Sequence, residues 1–210
     1  MTTDRFHGHI AGIGTSSGTR LVVGAWAESP YGRFADVMVE TRTGIRMLLA
    51  PSPAIADYVT ATYTFDAVRV EPVTVTRQGL RWGVETPSLR MSFTLGGRTM
   101  LGFVLRAVPG PVAQTPLWAR AVAPVAALVM PGVQTVGSAR DGRIEYYGAI
   151  DLHRITDAAA TLDDADLGTL SDVDPPCRFG FSSTPRRPSL TRVVTTVRHS
   201  DPDADTIAAR

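Results

Sequence analysis

The chain has no lysine: all 21 of its basic residues are arginine. That absence excludes lysine Schiff bases, covalent pyridoxal-phosphate attachment and the phosphate-cradling lysine of a P-loop, because arginine replaces none of these amines. Cysteine is nearly absent too. Cys177 stands alone, so no intrachain disulfide exists. An excess of charge of one sign is missing, since the formal net charge is only +1, and a nucleic-acid binder would normally carry a basic face. No apolar run approaches the ~18 residues of a membrane span. The opening Met1–Arg5 leads into polar, Gly-rich sequence and not into the apolar run of a secretory signal. These absences lead us to expect a cytoplasmic protein that engages neither nucleic acid nor membrane.

What is present is alternation. Leu80, Trp82 and Val84 alternate with Arg81, Gly83 and Glu85; Leu89, Met91, Phe93 and Leu95 alternate with Arg90, Ser92 and Thr94. Period two with one apolar face is the pattern of half-buried antiparallel strands. Turn residues predict four hairpins, at Thr41–Gly44, Gln78-Gly79, Gly96-Gly97 and Asp141-Gly142. The third would join Leu89–Leu95 to a strand over Arg98–Leu105. Pro72 interrupts the run from Val68 to Val75, which predicts an edge or bulged strand. Ser52-Pro53 and Thr115-Pro116 each supply an N-cap and a first-turn proline, predicting two helices, the second kinked at Pro124. The fold expected is mainly β: an antiparallel β-barrel or curved β-sandwich with one or two helices covering an opening. Residues 1–199 form one domain and 200–210 a flexible tail.

Several motifs dissolve on inspection. Gly8, Gly12 and Gly14 match a G-x-x-x-G-x-G spacing, but no buried strand precedes them and no helix follows. Ser182 lacks the second glycine of a nucleophile elbow. Cys177 has no histidine near it in sequence. Arg186-Arg187 reads as a solvated turn. Residues 155–177 hold six aspartates and no arginine, whereas 178–199 hold five arginines and no acid. An acidic loop folded beside a basic strand pair accounts for this, and a polarised surface for a partner or a second copy of the chain is the alternative.

The candidate site rests on the strand through Arg143–Ile155. Its hydrophilic side would carry Glu145, Tyr147, Asp151 and His153, giving an acid, a phenol and an imidazole on one face if that face is enclosed. The catalytic candidates are Asp151, His153 and Tyr147. Ligand-binding candidates are Glu145 with Trp26, Arg33, Trp82 and Phe93 as pocket wall and rim. A metal reading needs His7 and His9, two apart on one strand, to meet His153. Gly148 complicates the shared face, since an isolated strand glycine often marks a bulge that swaps the faces beyond it.

The stretches S-P-Y-G-R-F-A-D-V-M-V-E (29–40), I-R-M-L-L-A-P (45–51), G-R-I-E-Y-Y-G-A-I-D-L-H (142–153) and R-F-G-F-S-S (178–183) resemble a family of uncharacterised actinobacterial proteins. The resemblance spans most of residues 6–198 and implies no activity. The leading functional expectation is a small-molecule-binding protein that uses no cofactor, with its pocket inside or at the mouth of the barrel. An acid–base or metal-assisted isomerase or hydrolase on the same scaffold is the second reading, and a protein-interaction module or homodimer the third.

Overall fold

The computed structural model describes residues 3–109, 136–138, 144–180 and 184–198. Two long strands organise it. Strand β1 (Thr3–Thr15) pairs antiparallel along one edge with β2 (Arg20–Glu28). On its other edge β1 takes β12 (Ser189–Arg198) and then β11 (Ala165–Ser171). Strand β10 (Ile144–Leu162) receives the same two on its near edge. On its far edge lie β9 (Val136–Ser138) and β8 (Leu89–Arg98). One wing continues from β2 through β3 (Phe34–Glu40), β4 (Arg46–Ala50) and β5 (Ala67–Val70). The other continues from β8 through β7 (Arg81–Glu85) to β6 (Thr74–Gln78).

The sheet is so strongly curved that the two wings share one core. Ile13, Leu21, Val23 and Val37 from the first wing pack in the same buried cluster as Val84, Leu89, Met91 and Phe93 from the second. Twist accumulating over many strands produces such curling once one face is apolar throughout. The expected β-rich architecture with helices over an opening is what forms.

Three details differ from expectation. The sheet is not wholly antiparallel, because β5 runs parallel to β4, with α1 (Pro53–Thr60) in the connection between them. Pro72 lies between two strands, β5 and β6, and not within one; the expected edge position holds for both, since they are the two terminal strands of the sheet. No hairpin turns at Gly96-Gly97 either. Strand β8 runs on to Arg98, and Thr99 caps a helix, α2 (Met100–Ala107), by accepting the Gly102 N–H at 2.9 Å. A threonine cap overrode the apolar alternation beyond it. Gly102 seats that helix against β10, where a Cβ would lie 2.4 Å from the Leu152 carbonyl oxygen. The helix expected from Thr115 and the turn at Asp141-Gly142 lie outside the described residues. The strands on either side of that turn do pair, Ile144 opposite Ser138.

Some charged residues of the C-terminal third pair within the chain. Arg186 pairs with Asp174 at 2.8 Å, Arg178 with Glu40 at 2.9 Å, and Asp163 with Arg69 at 2.6 Å. Among the described residues no helix is long and apolar enough to cross a membrane.

Candidate functional site

Helix α1 begins where the sequence signals it. The Ser52 hydroxyl accepts the Ile55 N–H at 3.4 Å, and Pro53 occupies the first turn. Ile55, Ala56 and Val59 then pack on Leu48 and Ala50 of β4, which fixes the helix over the outer face of the first wing. Beneath it, Phe6 of β1 makes edge-on contacts with Trp26 of β2 at 5.6 Å and Phe34 of β3 at 6.4 Å. The chain around Cys177 and Phe179 closes a further side. The space so enclosed has a volume of about 70 Å³. A water molecule needs roughly 10–15 Å³ on this kind of measure, so several waters or one small organic molecule fit.

Four sets of polar groups interrupt the apolar wall. Asp36 is 3% exposed, and the Trp26 indole N–H donates to its Oδ1 at 3.0 Å. Burial pushes this carboxyl up to about 7, against the smaller opposing effect of the indole hydrogen bond. The residue across the ladder from Asp36 is Gly24. A Cβ there would stand 2.5 Å from Asp36 Oδ1 and 2.7 Å from Trp26 Nε1, so the glycine makes room for the pair to meet.

The second set is Glu145, Tyr63 and Tyr147. Both phenols donate to Glu145 Oε2, Tyr63 at 2.8 Å and Tyr147 at 3.2 Å, and the two phenolic oxygens also touch. Burial first, and then the charge of Glu145, raise Tyr63 well above its ordinary value, so it stays a donor. Thr62 and Thr195 form the third set. Both line the cavity, at 8% and 4% exposure, and neither hydroxyl has a hydrogen-bond partner among the described residues. Finally, burial pushes the Cys177 thiol up to about 12, which leaves it inert as a nucleophile.

The face expected to unite Glu145, Tyr147, Asp151 and His153 is divided. Strand β10 shifts register between Ala149 and Asp151, with Ile150 as the extra residue. Side chains beyond such a bulge emerge on the other side of the sheet. Glu145 and Tyr147 therefore line the cavity, whereas Asp151 and His153 share the opposite face with Arg192 of β12 and His9 of β1.

On that face Arg98 grips Asp151 with two bonds, at 2.7 and 2.9 Å, and the Leu152 N–H adds a third at 2.9 Å. The Arg98 bonds hold the Asp151 carboxyl below its ordinary value. His153 lies 3.6 Å from Asp151 through Nε2. His9 stacks edge-on against Trp82 at 5.3 Å, and burial, with Arg77 and Arg192 nearby, lowers its ring's affinity for a proton. Among the described residues no three His, Cys, Asp or Glu side chains stand close enough together to hold a metal ion, so His7, His9 and His153 are not brought to one centre.

Of the aromatic wall candidates, only Trp26 lines the cavity. Trp82 and Phe93 stack on each other at 5.9 Å in the shared core across the sheet, because alternation places them on the inner face. Arg33 is exposed in the turn before β3. Asp36, Tyr63, Thr62 and Thr195 went unrecognised. An aspartate within an otherwise apolar strand, A-D-V-M-V, was the available signal.

Fold and cavity define a curved, mostly antiparallel β-sheet protein with a helix-roofed pocket on its outer face. No protein-family model matches the chain, and no curated protein is similar to it in sequence. Among solved structures it is similar to an acetoacetate decarboxylase from Legionella pneumophila subsp. pneumophila, with a TM-score of 0.46 and 8% identity over 94% of this chain and 86% of that one. A second acetoacetate decarboxylase structure has a TM-score of 0.40 and 12% identity over 94% and 87%. Neither the reaction nor any residue role is carried over from those enzymes.

Proposed function

We propose that the protein binds a small, largely apolar molecule with one polar end in the cavity beneath α1. The observation that carries this reading is the pair of hydroxyls, Thr62 and Thr195, that have no partner among the described residues, in a mostly apolar wall. A buried polar group without a partner costs about 1–3 kcal/mol, and a ligand that hydrogen-bonds to both recovers that loss. Convergent polar groups within an apolar concavity are the usual form of a small-molecule site.

A second reading, acid–base catalysis, has its own support in Asp36. A carboxyl titrating near neutrality inside an apolar cavity suits proton transfer. Asp36 replaces Asp151 and His153 as the residue on which that reading rests. The lysine-free composition keeps Schiff-base chemistry out of it.

Native mass spectrometry of freshly purified protein tests the binding reading. The wild type is expected to carry a small-molecule adduct that Thr195→Val loses, since valine keeps the shape and removes the hydroxyl. His153→Ala, across the sheet, is expected to retain it. An adduct lost with His153 and kept with Thr195→Val, or no adduct together with no thermal shift from any small alcohol or acid, ends the reading.

A further inference from the structure

The concave side of the sheet carries a charged cluster that the cavity beneath α1 does not use. Strand pairing puts His9 of β1, Arg192 of β12 and Asp151 of β10 in one row. Residues directly opposite in an antiparallel ladder share a face, with Cβ atoms about 5 Å apart, so Arg192 stands between the imidazole and the carboxylate. The His9 ring meets Trp82 edge-on at 5.3 Å, and Trp82 belongs to the core shared by the two wings. Trp82 also carries the Arg77 guanidinium over its ring, at 5.5 Å.

Charge in this cluster is not balanced. Asp151 has an arginine on either side, and Arg98 of β8 takes both its oxygens. Arg192, although directly opposite that carboxylate, is exposed and makes no ion pair or hydrogen bond among the described residues. The half-buried His9 ring makes no hydrogen bond among them either. Further titratable groups stand around it: His153 of β10 beside Asp151, His7 two residues back on β1, and Glu28 of β2 opposite His7. The charges that act on His9 are those of Arg77, Arg192 and Asp151. With Asp151 neutralised by Arg98, the two other arginines remain as uncompensated positive charge.

We propose that Arg192 and His9, neighbours across the β1–β12 ladder, form a site for the carboxylate of a small organic acid, in the field of Arg77. The planar guanidinium matches the two oxygens of a carboxylate, and the imidazole beside it supplies an N–H. Asp151 adjoins Arg192 on its other side, which favours a singly charged group over phosphate, whose second charge it repels. Binding has a consequence at His9. Burial, and then Arg77 and Arg192, lower its affinity for a proton, while Asp151 opposes them. An anion between the ring and Arg192 offsets that guanidinium, so the acid and a proton on His9 favour each other. Affinity for the acid therefore rises as pH falls through the range in which His9 titrates. The site lies across the sheet from the cavity beneath α1 and stands whether or not that cavity takes a ligand.

NMR titration of the whole chain with sodium acetate, against chloride and phosphate at matched ionic strength, tests this. Acetate is expected to shift the His9 ring signals saturably, to raise the pH at which that ring titrates, and to bind several-fold more tightly at pH 6 than at pH 8. Chloride should do none of these, and phosphate should bind more weakly than acetate. Arg192→Gln alters an exposed side chain and is expected to weaken acetate about tenfold, the loss of a charge-assisted hydrogen bond, and to abolish the change in His9 titration. His9→Asn should bind acetate with no preference for low pH. A shift that does not saturate, an equal response to chloride, or unchanged acetate binding by Arg192→Gln overturns the proposal. Tighter binding of phosphate than of acetate overturns the assignment to a carboxylate.

Discussion

Asp36 and Glu40 lie four residues apart on β3, on the same face, and both carboxylates are buried. Their surroundings are opposite. Across the β2–β3 ladder Glu40 faces Arg20, whose guanidinium reaches its Oε1 at 2.8 Å, and Arg178 adds a side-chain bond at 2.9 Å and a backbone bond at 2.7 Å. Across the same ladder Asp36 faces Gly24, which offers no side chain at all. One acid is locked into the structure by two arginines. The other is left with an indole hydrogen bond and a cavity. Equal burial thus says little about role; the cross-strand partner decides whether a buried charge belongs to the fold or is kept for something else.

The sharpest way to break this contrast is to remove the locked acid. Glu40→Gln leaves the Arg20 guanidinium buried without its counter-charge, and such a loss costs about 3–5 kcal/mol. Chemical denaturation at pH 7 reads it directly, and a change below about 1 kcal/mol would make Glu40 no more structural than Asp36.

The unlocked acid behaves in the reverse sense. The Asp36 carboxyl is raised from 3.8 to about 7 in the folded protein, so folding holds its proton more tightly. Its stabilising contribution is complete below pH 3.8 and is lost as pH rises to about 7. Asp36→Asn lacks that loss. The stability difference between variant and wild type should therefore move by up to ~4 kcal/mol in favour of the variant between pH 4 and pH 8. A difference that stays flat with pH would mean the carboxyl is not desolvated as its burial implies.

The third test concerns the pair on the far face of the sheet. Asp151→Asn should cost only about 1 kcal/mol, since the Arg98 ion pair is partly exposed. The Asp151 carboxyl is depressed, so the pair's contribution is present above the ordinary carboxylate range and lost as pH falls through it. Ligand retention in the cavity should not change. A variant that loses the adduct would tie together two faces that the register shift separates.

Much of the architecture was legible because it follows from local chemistry. Alternation marked β7 and β8, Thr41–Gly44 and Gln78-Gly79 marked their hairpins, and Ser52-Pro53 marked α1. What was not legible depended on contacts distant in sequence. Nothing local reveals that β4 and β5 pair in parallel, or that α1 roofs the outer face of β1 to β3. Of the candidates named from the sequence, Glu145 and Trp26 (ligand-binding) and Tyr147 (catalytic) line the cavity, whereas Trp82 and Phe93 belong to the inner face. Gly148 flagged the register shift, but the position of the extra residue was needed to separate Asp151 from Tyr147. Asp36 escaped notice because its burial and its glycine partner exist only once β2 lies beside β3.

Ile150 turns β10 into a strand of two parities. Glu145 and Tyr147 before it look outward beneath α1, and Asp151, His153 and Ile155 after it look to the curled interior. Deleting that one residue would bring Asp151 and His153 to the outer surface while Glu145 stayed put, assembling the very constellation that uninterrupted counting foresees. A single insertion thus puts Glu145 and the Arg98-paired Asp151 on opposite faces of one backbone.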